Sequence, residues 1–527
     1  MSAIITDQIR ILNSKNFIRS IKSGDSNLYT FVGLPNANEY DANWDVNSPP
    51  PKDSFDDQND YWDTIISLKK INPDSDIKNV ISKIVWESGT TYDMYRHDIT
   101  RNNLAKPSQK TSLYKANYYV LTKDYKVYVC LNNGASPDNN FEGIPSLIEP
   151  TFIDLEPRST EDGYTWKYLY TLKIEDIIKF DSINFIPVPS DWETSTDYES
   201  IRLNASSSGQ IKVVTITNFG QNLGSPKVYS NIPILGDGTG AEISIVVGND
   251  ERITSVFVVK GGTGYTYGTV DLSSISFPSN AILPKFDVII PPKGGHGYDI
   301  YNELGAYNVL IYSRFENDQT NPDFITGNQI ARIGIVNNPL NFDSDTVLTK
   351  ERVSAASALK LVGKNSVEDY QNISIDADSV ITQTIGVGIT AVGRVISYDN
   401  RTGILKYWQD RSLYGFNLNG EYNENRTRKT YNSPLYGNKK IEFTSSVLDG
   451  GSLDITGFDL TLKIDSAYTG ITTVINNVTY NLGQKFTSGV SAPEVKRNSG
   501  DIIYVDNRPS ITRSPNQKED VKVILQF

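Results

Sequence analysis

Hydrophobic and polar residues alternate along much of the chain, which predicts many short β-strands. The clearest case is "VKVILQF" at 521–527, where every second residue is apolar. That period of two is typical of a strand with one buried face. We therefore expect a strand here that buries Val521, Val523, Leu525 and Phe527, with Phe527 as a core residue and Lys522 on the opposite face.

Other stretches predict three helices and further strands. The predicted helices are "TDQIRILNSKNFIRSIKSGD", with a possible cap at Thr6, "DSFDDQNDYWDTIISLKKI", with acidic residues in its first turn, and the Ala-rich "KERVSAASALKLV". The predicted strands include "LYTFVGLP", "KVYVCLNN" and "DGYTWKYLYTLKI". The stretch "ITAVGRVISYDNRTGILKYWQD" predicts a hairpin that turns at "DNRTG".

An internal repeat suggests how the chain divides. Residues 211–228 superpose on 253–270, with Gly220 falling on Gly262, and each copy predicts a strand, a Gly-rich turn and a second strand. Two copies are too few for a solenoid, so we predict a small inserted β-module. The predicted domains are a first core segment at 1–199, this module at 200–292, a second core segment at 293–380, a second inserted β-rich module at 381–494, and a C-terminal strand at 495–527 that completes the core.

Composition supports a mainly β protein. The chain has 31 Tyr and 19 Phe, which suit pleated sheets, and its 38 Gly and 24 Pro suit many turns. We expect a mainly β fold with a few helices: a layered β-sandwich core with helical excursions and two inserted β-modules. The net charge of −12 and the absence of a Lys- and Arg-rich run argue against nucleic acid as a partner.

Cysteine use and hydropathy indicate a protein made and folded in a cytoplasm. Cys130 is the single cysteine, so no internal disulfide can form, and its place in a predicted strand favours a buried, inert thiol. The first residues, "MSAIITDQIRIL", lack the basic start of a signal peptide. No stretch approaches the roughly 18 apolar residues that span a bilayer, so we expect no membrane insertion.

The sequence offers little catalytic chemistry. His97 and His296 are far apart and lack a zinc-site spacing, so a structural role is favoured for each. The acidic run "DSFDDQND" lacks the central glycine and closing Glu of a calcium loop, and the glycine-rich stretches lack the phosphate-loop pattern. We predict no catalytic residue, no cofactor and no metal site. Paired carboxylates that assemble only in the folded protein leave a glycan-cleaving enzyme as an alternative.

Several stretches resemble one known family. "GDIIYVDNRPSITRSPNQKEDVKVILQF" is similar to the C-terminus of the T4-type phage baseplate wedge subunit, the gene-eight product family. "NFIRSIKSGDSNLYTFVG", "DGYTWKYLYTL", "FIPVPSDW" and "RIGIVNNPL" resemble other segments of that family in the right order. The matched pieces cover roughly 1–195, 300–345 and 495–527. The stretches near 200–290 and 380–490 have no counterpart in the smaller T4 member, and they look like the insertions of cyanophage versions.

The resemblance implies a non-enzymatic subunit of the virion tail baseplate, assembled in the host cytoplasm. It implies a homodimer that contacts the long wedge protein, the trimeric pin-type protein and the ring-forming wedge protein. The structural or interface candidates that follow from it are Trp166, Tyr504, Asn507, Arg508, Pro509 and Phe527. Arg508-Pro509 suits a fixed turn before the last strand, and Arg508 could bridge to carboxylates of a neighbouring chain or make a local backbone contact.

Two other functions compete with the structural one. A virion-surface binding module would use the inserted β-modules to contact a host glycan or protein. A glycan depolymerase on a β scaffold is the third hypothesis, although the chain lacks the long period of a β-helix.

Overall fold

The structure, a computed structural model, describes residues 4–36, 44, 46–207, 209–317, 322–325, 329–363, 369–386, 389–409, 441–446, 452–455, 462–514 and 516–527. The chain folds into two compact units. The first comprises Met1–Ile18, Ile77–Ile311 and Val523–Phe527, and the second comprises Arg19–Asp76 and Tyr312–Lys522. Each unit is therefore built from segments that are distant in the sequence.

Strands dominate both units. The helices are α1 (Asp7–Lys22), α2 (Phe55–Thr64), α3 (Ile174–Phe180), α4 (Glu199–Ser207) and α5 (Ile300–Leu304). The strands up to residue 288 are β1 (Leu28–Gly33), β2 (Ile65–Lys70), β3 (Ile77–Ser82), β4 (Tyr119–Leu121), β5 (Lys126–Asn132), β6 (Arg158–Ser159), β7 (Thr165–Thr171), β8 (Phe185–Pro187), β9 (Val214–Asn218), β10 (Lys227–Gly236), β11 (Thr239–Val247), β12 (Ile253–Thr263), β13 (Gly268–Val270) and β14 (Lys285–Val288).

The later strands are β15 (Asn308–Glu316), β16 (Gln329–Asn337), β17 (Arg352–Ser354), β18 (Ser357–Gly363), β19 (Val380–Gly386), β20 (Ile389–Asp399), β21 (Ile404–Trp408), β22 (Ser452–Ile455), β23 (Leu462–Ile464), β24 (Gly470–Ile475), β25 (Val478–Phe486), β26 (Val490–Ser491), β27 (Asp501–Thr512) and β28 (Lys518–Gln526). The prediction of a mainly β fold with few helices is confirmed.

The first predicted helix forms as α1, and the first part of the second forms as α2, but the rest of that second stretch, Ile65–Lys70, is strand β2 and not helix. At α1 the backbone N of Ile9 donates to Thr6 Oγ1 at 3.4 Å, and at α2 the backbone N of Asp57 donates to the N-cap Ser54 Oγ at 3.1 Å. Such side-chain acceptors satisfy amides that the first helical turn leaves unpaired. Among the described residues, no helix is long and apolar enough to cross a membrane.

The first unit holds a large apolar core around the sheet with strand order β4-β5-β7-β6. Tyr128, Trp166 and Tyr170 contribute fully buried aromatic side chains to it. Cys130 lies on β5 in the same core, and burial raises the pKa of its thiol well above the ordinary value. The prediction of a buried thiol in a strand is confirmed.

The repeat region forms an apolar cluster of its own within this unit. Its strands are β10–β13, in the order β12-β11-β10-β13, and the separate antiparallel pair β9 and β14. Each copy of the repeat does contain a strand, a turn and a second strand: β9 then β10, and β12 then β13. The equivalent glycines Gly220 and Gly262 both have positive φ, +74° and +59°, a backbone region that L side chains rarely adopt.

The second unit contains a five-stranded antiparallel sheet in the order β17-β2-β1-β16-β27. Its strands come from residues 28–70 and from residues 329–512, so pairing across long separations in sequence is what builds it. Tyr29, Phe31, Leu68, Val336 and Val353 lie in the apolar cluster that packs against this sheet.

Another sheet of the second unit closes into a ring. Its order is β21-β20-β19-β22-β23-β18-β26, and β18 also pairs with β21. Leu361, Ile381, Val395 and Leu405 belong to the apolar cluster of this sheet. The ring includes β18, which lies in the predicted second core segment (293–380) and not in the predicted second module (381–494). The predicted module boundaries stay predictions.

The helix predicted for "KERVSAASALKLV" is wrong. These residues form β17 and β18. Strand β18 pairs with β21, β23 and β26, and all residues of Ser357–Gly363 except Val362 are buried. A strand buried on both faces has no alternating pattern, and the helix propensity of its alanines is a weak preference that tertiary packing overrides.

The strand predicted near residue 527 is present as β28, and its alternation is confirmed. Val521 and Val523 are buried, whereas Lys522 is exposed. Leu525 and Phe527, however, are only partly buried, so the expectation that Phe527 is a core residue is wrong. Within the first unit the Phe527 ring packs 5.2 Å from that of Phe17 on α1, and its backbone N donates to the carbonyl of Tyr307 at 3.3 Å.

Candidate interaction site on strand β27

Strand β27 is an edge strand that carries four of the six predicted site residues. Among the described strands it pairs with β16 alone, at the end of its sheet. The pairing is regular from Gly334 opposite Val505 to Arg332 opposite Asn507, but the next pair is Ile330 opposite Ile511. Three residues of β27, 508–510, therefore face the single residue 331 and bulge out of the ladder.

This bulge corrects the expectation that Arg508-Pro509 forms a turn before the last strand. Pro509 lies inside β27, where an ordinary central strand would need its missing N–H. An edge position and a bulge both remove that need, which is why the proline fits here.

A buried arginine fixes the base of the bulge. Arg332 on β16 is 1% exposed, and its guanidinium donates to three oxygens of the same unit. Nε donates to Asn507 Oδ1 at 2.9 Å, Nη2 donates to Asn36 Oδ1 at 3.1 Å, and Nη1 donates to Thr64 Oγ1. One side chain therefore connects β27, the segment after β1 and the end of α2.

Aromatic rings rather than carboxylates surround this cation. The guanidinium carbon lies 4.7 Å from the Tyr61 ring centre and 5.3 Å from that of Trp44. Such contacts are attractive because the face of an aromatic ring is electron-rich. No carboxylate within the described part of the chain forms an ion pair with Arg332. Burial lowers its pKa to about 10, so the group is still charged at neutral pH.

Further contacts hold the bulged segment in place. Asn507 Nδ2 donates to the carbonyl of Pro49 at 3.0 Å, and the indole Nε1 of Trp44 donates to the carbonyl of Arg508 at 2.9 Å. Asn507 thus uses both atoms of its amide within its own unit. The segment is preorganised, since the Asn507 side chain and the Arg508 carbonyl are both held by other residues of the unit.

The outer surface of β27 is apolar and charged. Ile503 and Ile511 are 43% and 58% exposed. The Arg508 side chain is 63% exposed, and its Nε donates to Asp506 Oδ2 at 2.6 Å. Arg508 therefore contacts a side chain of its own strand, which neither of the two sequence-based expectations included. The exposed isoleucines give this edge apolar surface for contact with another protein, whereas Pro509 and the bulge interrupt the row of backbone groups that an added strand would pair with.

The remaining predicted residues have structural positions. Tyr504 is partly buried opposite Ile335, and burial raises the pKa of its hydroxyl. Trp166 is fully buried in the first unit, stacked on Tyr164 at 5.2 Å, and its Nε1 has no hydrogen-bond partner among the described residues. The structure thus collects Tyr504, Asn507, Arg508 and Pro509 on one strand, whereas Trp166 and Phe527 belong to the other unit.

Sequence reasoning missed Arg332, the residue that organises this site. The available signal was a lone arginine inside the apolar run "QIARIGIV", because a charged residue in a buried strand needs a specific partner. That pattern indicates that Arg332 needs a partner, but it does not indicate which residue the partner is.

Both histidines make contacts within the first unit. His97 Nδ1 accepts a hydrogen bond from the backbone N of Ile290 at 3.2 Å. His296 is buried with its Nδ1 2.7 Å from Glu303 Oε1, and its ring lies edge-on to Tyr95 at 4.7 Å. Across the residues that the structure describes, no group of three or more His, Cys, Asp or Glu side chains is placed to hold a metal ion.

Comparison with known proteins adds no relative: no protein-family model matches the chain, and no curated protein matches it significantly.

Proposed function

We propose that this chain is a structural, non-catalytic subunit of the baseplate wedge of a contractile-tailed bacteriophage. It acts in tail assembly and in the baseplate rearrangement that host attachment triggers. The proposal starts from the five stretches that resemble the T4-type wedge subunit family, and the arrangement of those stretches supports it.

The observation that carries the proposal is that three of these stretches form adjacent strands of one sheet. "LYTFVG" forms β1, "RIGIVNNPL" supplies most of β16, and "GDIIYVDNRP" supplies most of β27. These strands lie side by side in the order β1-β16-β27. Three of the five resembling stretches are therefore neighbours in one sheet, and the Arg332–Asn507 contact joins two of them directly.

The exposed edge of β27 suits a subunit that works by contact. We propose that β27 forms a portion of the surface that meets a second copy of this chain or the neighbouring wedge proteins. These neighbours are the long wedge protein, the trimeric pin-type protein and the ring-forming wedge protein. A symmetric dimer would place the same patch of both copies against each other.

Electron microscopy of the phage that encodes this chain tests the proposal. Gold-labelled antibody against the purified protein should bind at the distal end of the tail, and lysates of a nonsense mutant should contain heads but no complete tails. Pre-absorbing the antibody with the purified protein should abolish labelling. Label on the head, or normal tails in the mutant lysate, would refute the proposed role.

A further inference from the structure

The second unit contains a cavity of about 460 Å³ that the proposed function does not use. Its volume lies within the roughly 300–1,000 Å³ typical of small-molecule sites. Residues that line it include Phe324, Tyr398, Arg401, Lys406, Tyr480 and Asn481. A second cavity of about 190 Å³ shares Phe324, Ile325, Lys406 and Asn481 with it. Lys406 is thus the cation common to both spaces.

The backbone of Lys406 pairs with β18 and β20, but its side chain has no hydrogen bond or ion pair with any residue that the structure describes. It is the one partly exposed residue of β21, whose other four residues are buried. A bulge in β20 shifts the register from Val395 opposite Tyr407 to Ser397 opposite Lys406. Lys406 and Ser397 line the larger cavity together, and Lys406 also lines the smaller one.

The nearby carboxylates are already occupied. Glu494 accepts from Lys350 Nζ at 2.5 Å and from the backbone N of Ser354 at 2.9 Å. Asp399 accepts from Arg401 Nε at 3.2 Å and from Thr402 Oγ1 at 2.8 Å.

Asp323, in the wall of the smaller cavity, lies 3.3 Å from Lys69 Nζ and 3.1 Å from Arg352 Nε. Within the described part of the lining each carboxylate therefore has a cationic partner, and Lys406 adds a positive charge that none of these carboxylates compensates. The whole chain carries a net charge of −12, so this local charge selects for an anionic group.

The rest of the lining suits a sugar. Phe324, Tyr398 and Tyr480 provide aromatic rings, and Asn317, Asn481 and Asn516 bring amide groups that can both donate and accept. Phosphate groups, in contrast, are usually bound by several backbone amides at a helix start or by clustered arginines. Here one free ammonium matches one carboxylate.

We propose that this cavity binds a carboxylate-bearing sugar unit of an acidic polysaccharide, with Lys406 receiving the carboxylate and the aromatic and asparagine residues receiving the ring and its hydroxyls. This site is independent of the baseplate role, and its test does not depend on that role.

Calorimetric titration of the full-length protein with a galacturonic acid trimer tests the site. The neutral galactose trimer is the matched ligand without carboxylates, and a short peptide with a free C-terminal carboxylate tests whether any carboxylate suffices. We expect binding of the acidic trimer only. Equal binding of the neutral trimer, preferential binding of the peptide, or no binding of the acidic trimer would overturn the proposal.

Two variants assign the binding to named residues. Lys406→Met removes the ammonium and should weaken acidic-trimer binding about 10- to 100-fold, the usual effect of losing a charge-assisted hydrogen bond. This change should not unfold the protein, because it replaces a largely buried charge by an apolar chain of similar length. Tyr480→Leu removes one aromatic ring and should also weaken binding of the acidic trimer. Lys485→Met, at an exposed position of β25, is the charge-matched control and should bind normally.

The pH dependence gives a further readout. Burial lowers the pKa of Lys406 to about 8, so the ammonium is present at pH 7 and mostly lost at pH 9. Binding should fall about tenfold over that interval. The other charged groups that line the two cavities are Asp323, Lys350, Arg352, Asp399 and Arg401. If Lys406→Met bound the acidic trimer as tightly as the natural protein, or kept the same pH dependence, Lys406 would not be the carboxylate-binding group.

Discussion

The guanidinium Nε of Arg332 donates to Asn507 Oδ1 at 2.9 Å, across two strands whose residues are 175 positions apart in the sequence. The same guanidinium satisfies Asn36 and Thr64, so one buried side chain sets where β27 bulges. This contact joins β16 to β27, and it positions the edge on which the proposed interaction depends.

Arg332→Met should lower the free energy of unfolding by about 3 kcal/mol, since it leaves the buried hydroxyl of Thr64 and the partly buried amide oxygens of Asn36 and Asn507 without this donor. In a double-mutant cycle with Asn507→Ala, the coupling energy should be about 1–2 kcal/mol. Urea unfolding measures both values. Arg508→Met, on the same segment but 63% exposed, is the control and should change stability by less than about 0.5 kcal/mol. A coupling energy near zero would mean that Arg332 and Asn507 act independently.

Asp520 should make stability depend on pH in the acidic range. Its carboxylate accepts from Arg314 Nε at 2.6 Å and Nη2 at 2.9 Å, and from the Tyr312 hydroxyl at 2.8 Å. The hydrogen bond from Arg314 is the main cause of a lowered Asp520 pKa. A lowered pKa stabilises the fold above the ordinary value of about 3.9, and this stabilisation is lost as the pH falls through the lowered value.

The matching test is Asp520→Asn in urea unfolding at pH 7, 5 and 3. Both partners are more than a third exposed, so we expect a loss below about 1 kcal/mol at pH 7. The difference in unfolding free energy between the variant and the natural protein should be smaller at pH 3 than at pH 7. A difference of constant size would show that the carboxylate charge is not responsible.

The predicted inserted module should be removable at the β9–β14 pair. Thr215 pairs with Asp287 in this antiparallel ladder, so a two-residue Asn-Gly turn can replace residues 216–286 and join them. Asp287 keeps its contact with Arg96 Nη2 at 2.6 Å. We expect a soluble product with one cooperative thermal transition. A wider cut, 206–292, removes Ile289 from the main core and should melt at a lower temperature. An insoluble product from the narrow cut would show that the module completes the core of its unit.

Truncation after Asp520 should give aggregated protein. It removes Val521 and Val523, whose burial contributes about 3–6 kcal/mol in total, together with most of the β28 ladder. Phe527→Ala should lower the free energy of unfolding by only about 1–2 kcal/mol, because its ring is partly buried. Loss of a fully buried aromatic ring costs about 3–5 kcal/mol. Lys522→Ala should be nearly silent. Soluble truncated protein with an unchanged melting curve would contradict a structural role for β28.

Ile511→Asp should weaken self-association without changing the melting temperature. The side chain is 58% exposed on the β27 edge, so a charge there would be buried on pairing but is solvated in the free chain. Sedimentation at micromolar concentration should show a dimer for the natural protein and an equilibrium shifted toward monomer for the variant. Ile183→Asp, at a 92% exposed position of the other unit, is the control. Equal effects of the two changes would exclude β27 as the dimer contact.

Local sequence patterns were enough to predict the elements whose stability depends on their own neighbours. The capped helices α1 and α2, the alternating strand β28 and the hairpin of β20 and β21 were all predicted, as was the mainly β class. Each of these signals lies within a few residues: a cap and its amide, or a period of two. The buried Cys130 follows from the same kind of pattern.

Tertiary structure decided what depends on pairing between distant segments. Ser357–Gly363 is a strand because three other strands surround it, although its alanines favour a helix. Arg332 organises the site because its guanidinium reaches residues 36, 64 and 507. The Lys406 ammonium is left without a partner among the described residues because Glu494 and Asp399 bind other cations. A sequence pattern predicts the kind of environment that a residue needs, such as a buried face or a hydrogen-bond acceptor. The partner that supplies them is fixed by the long-range register of the strands, and no local pattern encodes that register.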